Sequence, residues 1–84
     1  MDRVKDKVAI VTGSASGIGK ASALLLAEEG ATVAITDIAD EAGKQTVEEI
    51  TGNGGIAAYW HMNVSDEREV EKTFSEINRN YGKI

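Results

Sequence analysis

Apolar residues fall along this chain in two alternating patterns. Val8-Ala9-Ile10-Val11 is a near-continuous apolar run, as expected for a strand, Val8–Thr12, covered on both faces of a parallel sheet. From Gly17 the spacing turns helical. Ile18, Ala21, Leu24, Leu25 and Ala27 supply the buried side of a helix predicted over Gly17–Glu29, and Gly30 ends it. Ala31-Thr32-Val33-Ala34-Ile35 returns to the strand pattern and predicts a second strand over Thr32–Thr36. Asp40 is placed to cap the next helix, with Glu41 favourable in its first turn. That helix carries Ala42, Val47 and Ile50 and stops in Thr51-Gly52-Asn53-Gly54-Gly55. Ile56–Val64 reads as a third strand, with Ile56, Ala58, Trp60, Met62 and Val64 on one face. Ser65 or Asp66 starts a third helix, where Asp66 and Glu69 have the spacing of a capping box. Val70, Phe74, Ile77 and Tyr81 form a helical stripe, and Gly82 terminates it.

The order is β-α-β-α-β-α, with Ile84 as the first residue of a fourth strand. Right-handed crossovers place the strands in the order 3-2-1, with ligands at their carboxyl ends. The fold class is therefore α/β, a three-layer Rossmann type with a parallel sheet. Residues 1–84 form the N-terminal, mononucleotide-binding half of a doubly wound fold, stopping where the fourth strand begins. A chain this short forms one domain at most.

Composition narrows the function. Fourteen acids against nine bases give a net charge of −5. The acids concentrate in residues 37–49 and 66–76, which opposes a nucleic-acid partner. No apolar stretch approaches the ~20 residues of a membrane span. Met1-Asp2-Arg3-Val4-Lys5-Asp6-Lys7 contains no apolar signal segment. The chain has no cysteine, which excludes disulfides and thiolate metal sites, and no metal-ligand spacing is present. The cytoplasm is the default compartment.

The candidate chemistry lies where the first strand gives way to the first helix. Residues 12–19 read Thr-Gly-Ser-Ala-Ser-Gly-Ile-Gly. A glycine-rich turn before a helix holds phosphate, because the backbone can come close and the helix start offers free N–H groups. Gly13 turns the chain out of the strand, Gly17 leaves room for a pyrophosphate, and Gly19 lets the helix pack on the sheet. The N–H groups of Ile18 and Gly19 face phosphate oxygens, and the hydroxyls of Ser14 and Ser16 are candidate partners for ribose or phosphate. Asp37 ends the second apolar run, about 20 residues after the glycines, where an acid takes the adenosine ribose hydroxyls of a dinucleotide. A carboxylate repels a 2′-phosphate, and no basic residue stands at positions 14–18 or 36–40. NAD is therefore favoured over NADP. His61, the one histidine, reads as a packed or surface residue. Tyr59, Trp60, Phe74 and Tyr81 read as core or surface aromatics.

Thr12-Gly13-x-x-x-Gly17-Ile18-Gly19 resembles the short-chain dehydrogenase/reductase family. Lys5-Asp6-Lys7-Val8 before the first strand and Gly82-Lys83-Ile84 before a fourth extend the resemblance over the whole chain. The resemblance implies an oxidoreductase that moves hydride between a nicotinamide and an alcohol/carbonyl pair. It implies a small alcohol or ketone substrate bound by a missing half, and a full-length homo-oligomer, tetramer or dimer. In this family an Asp-Val pair contacts the adenine; here Asn63-Val64 stands in its place. Asn donates as well as accepts, and Val64 offers an apolar wall. The family's proton chemistry uses Tyr-x-x-x-Lys with an upstream Ser. Position 63 is Asn, four after Tyr59, and only three residues follow Tyr81, so no catalytic residue is assigned in this chain. Two alternatives remain: a non-catalytic NAD-binding module, and an S-adenosylmethionine-binding fold, which the glycine spacing disfavours.

Overall fold

In the computed structural model, residues 7–13 and 17–82 are described. Ser14 and Ser16, with Lys5, Asp6, Lys83 and Ile84, lie outside the described residues. Strands and helices alternate as β1 (Val8–Thr12), α1 (Gly17–Glu28), β2 (Thr32–Asp37), α2 (Asp40–Gly52), β3 (Ile56–His61) and α3 (Glu67–Tyr81). All strand pairs are parallel, with β2 between β1 and β3, the predicted order.

Side-chain alternation along β2 sorts the helices into two layers. Val33 and Ile35 face α1 and α2, where they pack with Ala23, Ala31 and Ile50. Ala34 faces α3 and packs with Val8 and Ile77. Every residue from Val33 to Thr36 is fully buried, as a central parallel strand requires. The Thr36 hydroxyl meets its burial by donating to the Val11 carbonyl at 3.0 Å. Trp60 and Tyr81 meet edge to face across the α3 side, with ring centroids 6.1 Å apart.

Helix ends follow the glycines. Gly30, at φ 98°, lets its own N–H reach the Ala27 carbonyl and the Ala31 N–H reach that of Leu26. Gly54, at φ 88°, closes α2 the same way through Thr51 and Ile50. This is the Schellman arrangement, which needs a left-handed residue. Asp66 caps α3, accepting from Arg68 N at 3.1 Å and Glu69 N at 3.3 Å. Among the described residues, no helix is long and apolar enough to cross a membrane.

Five local expectations are corrected. β3 ends at His61, not Val64; β2 itself ends at Asp37, so β3 has no ladder partner beyond His61. The face predicted for β3 is buried only at its middle, since Ile56 and Val64 are 62% and 64% exposed. Ile18, Ala21 and Leu25 are exposed rather than buried in α1, whose inner side is Ala23, Leu24, Leu26 and Ala27. Asp40 does not cap α2. The cap position is Ala39, and it makes no side-chain bond. The capping box of α3 is half made, because the Glu69 carboxylate accepts from Asn63 N at 3.0 Å instead of returning to Asp66.

Candidate functional site

The carboxyl ends of the three strands meet along one edge of the sheet. Thr12 is level with Thr36, and Asp37 with His61. The candidate residues leave the strands at this edge. Gly13 and Gly17 adopt φ 61° and 60°, a left-handed conformation that costs about 1–2 kcal/mol for a residue bearing Cβ. A Cβ at either position would meet no atom within 4 Å. Self-packing therefore does not demand glycine here. The backbone conformation does, at Gly13 and at Gly17 alike. Ile18 projects from the first turn of α1, 87% exposed. Gly19 is half-buried within α1.

Asp37 is pinned where it leaves β2. Its Oδ1 accepts from the N–H of Ile38 at 2.7 Å and of Ala39 at 3.0 Å. Its carbonyl accepts from Met62 N at 3.0 Å. These bonds aim the β2–α2 corner and fix the carboxylate without a helix cap. Asn63 lies beyond β3. Its Oδ1 accepts from Ser65 N at 3.0 Å and from Ser65 Oγ at 2.6 Å. With both lone pairs engaged, the Nδ2 donor is the part of this side chain left to turn toward a ligand. Val64 follows it, exposed, and Ile38 follows Asp37 with 61% of its surface exposed. Two apolar side chains thus flank the polar edge. The sequence reading found Val64 and missed Ile38, because one apolar residue in a turn has no periodicity to mark it.

Beside Asp37 lies a polar group that the sequence reading also missed. The single proton of the Tyr59 hydroxyl is shared between the Asp37 carbonyl at 2.7 Å and Asp40 Oδ1 at 2.6 Å. The same Asp40 oxygen lies 2.7 Å from His61 Nδ1. These two bonds, Tyr59's the larger, hold the Asp40 carboxyl below its usual 3.8. Burial, and then the bond to Asp40, push the Tyr59 hydroxyl far above its usual value. The Asp40 bond raises His61 above its usual 6.5, against a smaller opposing effect of desolvation. Glycine at position 43 permits the arrangement, since a Cβ there would overlap the Tyr59 ring. The parallel register, which sets Ile35 opposite Tyr59 and Asp37 opposite His61, is the signal that could have found this group.

This geometry is of the kind that takes a dinucleotide: two left-handed glycines between strand and helix, a fixed acid on the neighbouring strand, and exposed apolar side chains beside it. The family model for short chain dehydrogenase matches residues 7–84. The chain belongs to the short-chain dehydrogenase family. An uncharacterised oxidoreductase of Bacillus subtilis (YxbG) is 43% identical over all 84 residues, which correspond to 31% of that protein. Cyclopentanol dehydrogenase of a Comamonas strain is 49% identical over 67 residues, 80% of this chain and 27% of that protein. The solved structure of a hydroxysteroid dehydrogenase from Escherichia coli superposes with a TM-score of 0.94 at 34% identity. That match covers 98% of this chain and 35% of the other. The chain thus spans about a third of the length of the relatives it matches. Short-chain dehydrogenases use nicotinamide cofactors, NAD or NADP.

Proposed function

We propose that this chain is the N-terminal part of an NAD-dependent short-chain dehydrogenase and holds the adenosine–pyrophosphate end of the cofactor. One observation carries the reading. Gly13 and Gly17 each hold a left-handed φ, with no atom of the described residues within 4 Å of where a Cβ would sit, and the neighbouring strand ends in an acid pinned by two backbone amides. In the proposal the backbone of the turn approaches the pyrophosphate, and the N–H groups of Ile18 and Gly19 at the start of α1 donate to it. Ser14 and Ser16 supply further hydroxyls. Asp37 accepts the two ribose hydroxyls and repels a 2′-phosphate, which selects NAD. Ile38 and Val64 enclose the adenine, and Asn63 offers it a donor.

The bound nicotinamide supplies hydride transfer to or from an alcohol/carbonyl pair. The proton-moving residues and the pocket for a small alcohol or ketone are assigned to the two thirds of the relatives' length that these 84 residues do not span; Tyr59 has Asn63, not a lysine, four positions on. The whole protein is read as a cytoplasmic homo-oligomer, a dimer or tetramer.

The test is a fluorescence titration of the parent protein with NADH, repeated with S-adenosylmethionine as competitor. The proposal expects saturable NADH binding that S-adenosylmethionine leaves unchanged. Competition by S-adenosylmethionine, or no binding of NADH, would overturn it.

A further inference from the structure

The two polar residues assigned to the adenosine, Asp37 and Asn63, leave different strands, yet a series of hydrogen bonds and one longer ion-pair contact runs between them. From the Asp37 carbonyl it passes to the Tyr59 hydroxyl at 2.7 Å, and on to Asp40 Oδ1 at 2.6 Å. It continues to His61 Nδ1 at 2.7 Å. The far ring nitrogen, Nε2, lies 3.9 Å from Glu69 Oε1. That oxygen accepts the N–H of Asn63 at 3.0 Å. We propose that His61 is a positioning residue that ties the two adenosine-contacting corners together, so that dinucleotide affinity is greater when its imidazole is charged. The inference rests on the reading of this edge as the adenosine site.

The sign follows from the two ring nitrogens. Charged imidazole donates from both, so Nδ1 holds Asp40 while Nε2 attracts Glu69. Neutral imidazole keeps one proton. With Nδ1–H held by Asp40, Nε2 turns a lone pair toward the Glu69 carboxylate and the tie to the Asn63 corner is lost.

The surroundings favour the charged form. From α2, Asp40 bonds its Nδ1, with Lys44 next to Asp40, and Asp37 is its register partner on β2. Tyr59 faces it from β3, holding its proton throughout the physiological range. The start of α3 lines a cleft with His61 through Asp66, Arg68, Glu69, Lys72 and Glu76, three acids against two bases. The Asp40 bond and the Asp40 and Glu69 charges raise the imidazole above 6.5. Affinity is therefore full below that raised midpoint and falls as pH climbs through it.

The experiment measures the Kd of ADP-ribose for the parent protein by calorimetry between about pH 5 and about pH 8.5. ADP-ribose lacks the nicotinamide, so groups that move the substrate proton do not enter. We expect Kd to rise about threefold across the His61 midpoint, a size set by partly exposed pairs. His61→Gln should give a flat profile at the weaker value, and Glu69→Gln should shrink the step. By reciprocity the His61 ring signal, assigned by its absence in His61→Gln, should titrate about half a pH unit higher in the bound protein. Two results would sink the proposal: a flat wild-type profile with intact binding, or the same step persisting in His61→Gln. Either leaves the adenosine site standing. No ADP-ribose binding at any pH overturns the site and the linkage together.

Discussion

Replacing Asp37 by Asn separates what the carboxylate does for the fold from what it does for the cofactor. Oδ1 accepts two backbone N–H groups, of Ile38 and Ala39. An amide oxygen in the same place keeps both, so the corner survives and only the charge is lost. A hydrogen bond to a charged group contributes about 1.5–3 kcal/mol, against about 0.5–1.5 for a neutral pair. NAD should therefore lose about 1–1.5 kcal/mol, close to tenfold in Kd. A 2′-phosphate carries about 1.5–2 negative charges. At about 4 Å each unit pair repels by about 1 kcal/mol even in bulk water. Removing the Asp37 charge should thus improve NADP binding by about 1.5–2 kcal/mol, roughly 10- to 30-fold. The ratio of the two affinities moves by about two orders of magnitude. Paired titrations with NADH and NADPH at one ionic strength read it directly, and a thermal melt checks that the variant is folded. A parent that already prefers NADPH would refute the assignment of Asp37 to the ribose. A ratio changed less than about twofold in the folded variant would do the same.

Two further substitutions test the geometry around this residue. Gly17→Val places a β-branched side chain at φ 60°; NADH binding should disappear from a protein that still melts cooperatively, and unchanged affinity would remove the turn from the site. Gly43→Ala gains about 1 kcal/mol of helix propensity but drives a methyl into the Tyr59 ring, an overpacking cost of about 1–3 kcal/mol; the melting temperature should fall, and a rise would show that the ring is not held against α2.

The elements that could be read from sequence are those whose cause is local. β1 ends at Thr12, one residue past its apolar run, a run typical of a strand in a parallel sheet. The Val70–Tyr81 stripe located α3 and its fully buried Ile77, but Phe74 on the stripe is exposed and Thr73, off it, is buried. The misreadings have nonlocal causes. Leu25 looks like core, but α1 already fills its contact with the sheet through Ala23, Leu24, Leu26 and Ala27. Alternation carries on through Val64, yet a strand persists only while a neighbour continues its ladder, and β2 has ended. Asp40 has the right residue type for a cap. Its oxygen goes instead to Tyr59 and His61, partners that only the register brings near.

The same division runs through the site. The glycine turn and Asp37 are legible because each acts through its own backbone: a left-handed φ at Gly13 and Gly17, and a carboxylate held by the two amides that follow it. Asn63 is only half legible. Its residue type suggests a donor and an acceptor, but Ser65 takes the acceptor, so the side chain differs in function from the acid the family pattern places there. His61 was illegible as anything but a lone histidine. Its partners come from the β2–α2 corner and from α3, separated from it by 21 and 8 positions, and no spacing rule links three elements at once. Parallel pairing is what makes such a group possible. It stacks the carboxyl ends of successive strands at one level, so residues far apart in the chain share one edge. A dinucleotide laid across that edge would feel the polar bonds between the corners as well as the atoms it touches, which makes cofactor affinity a property of the register as much as of the motif.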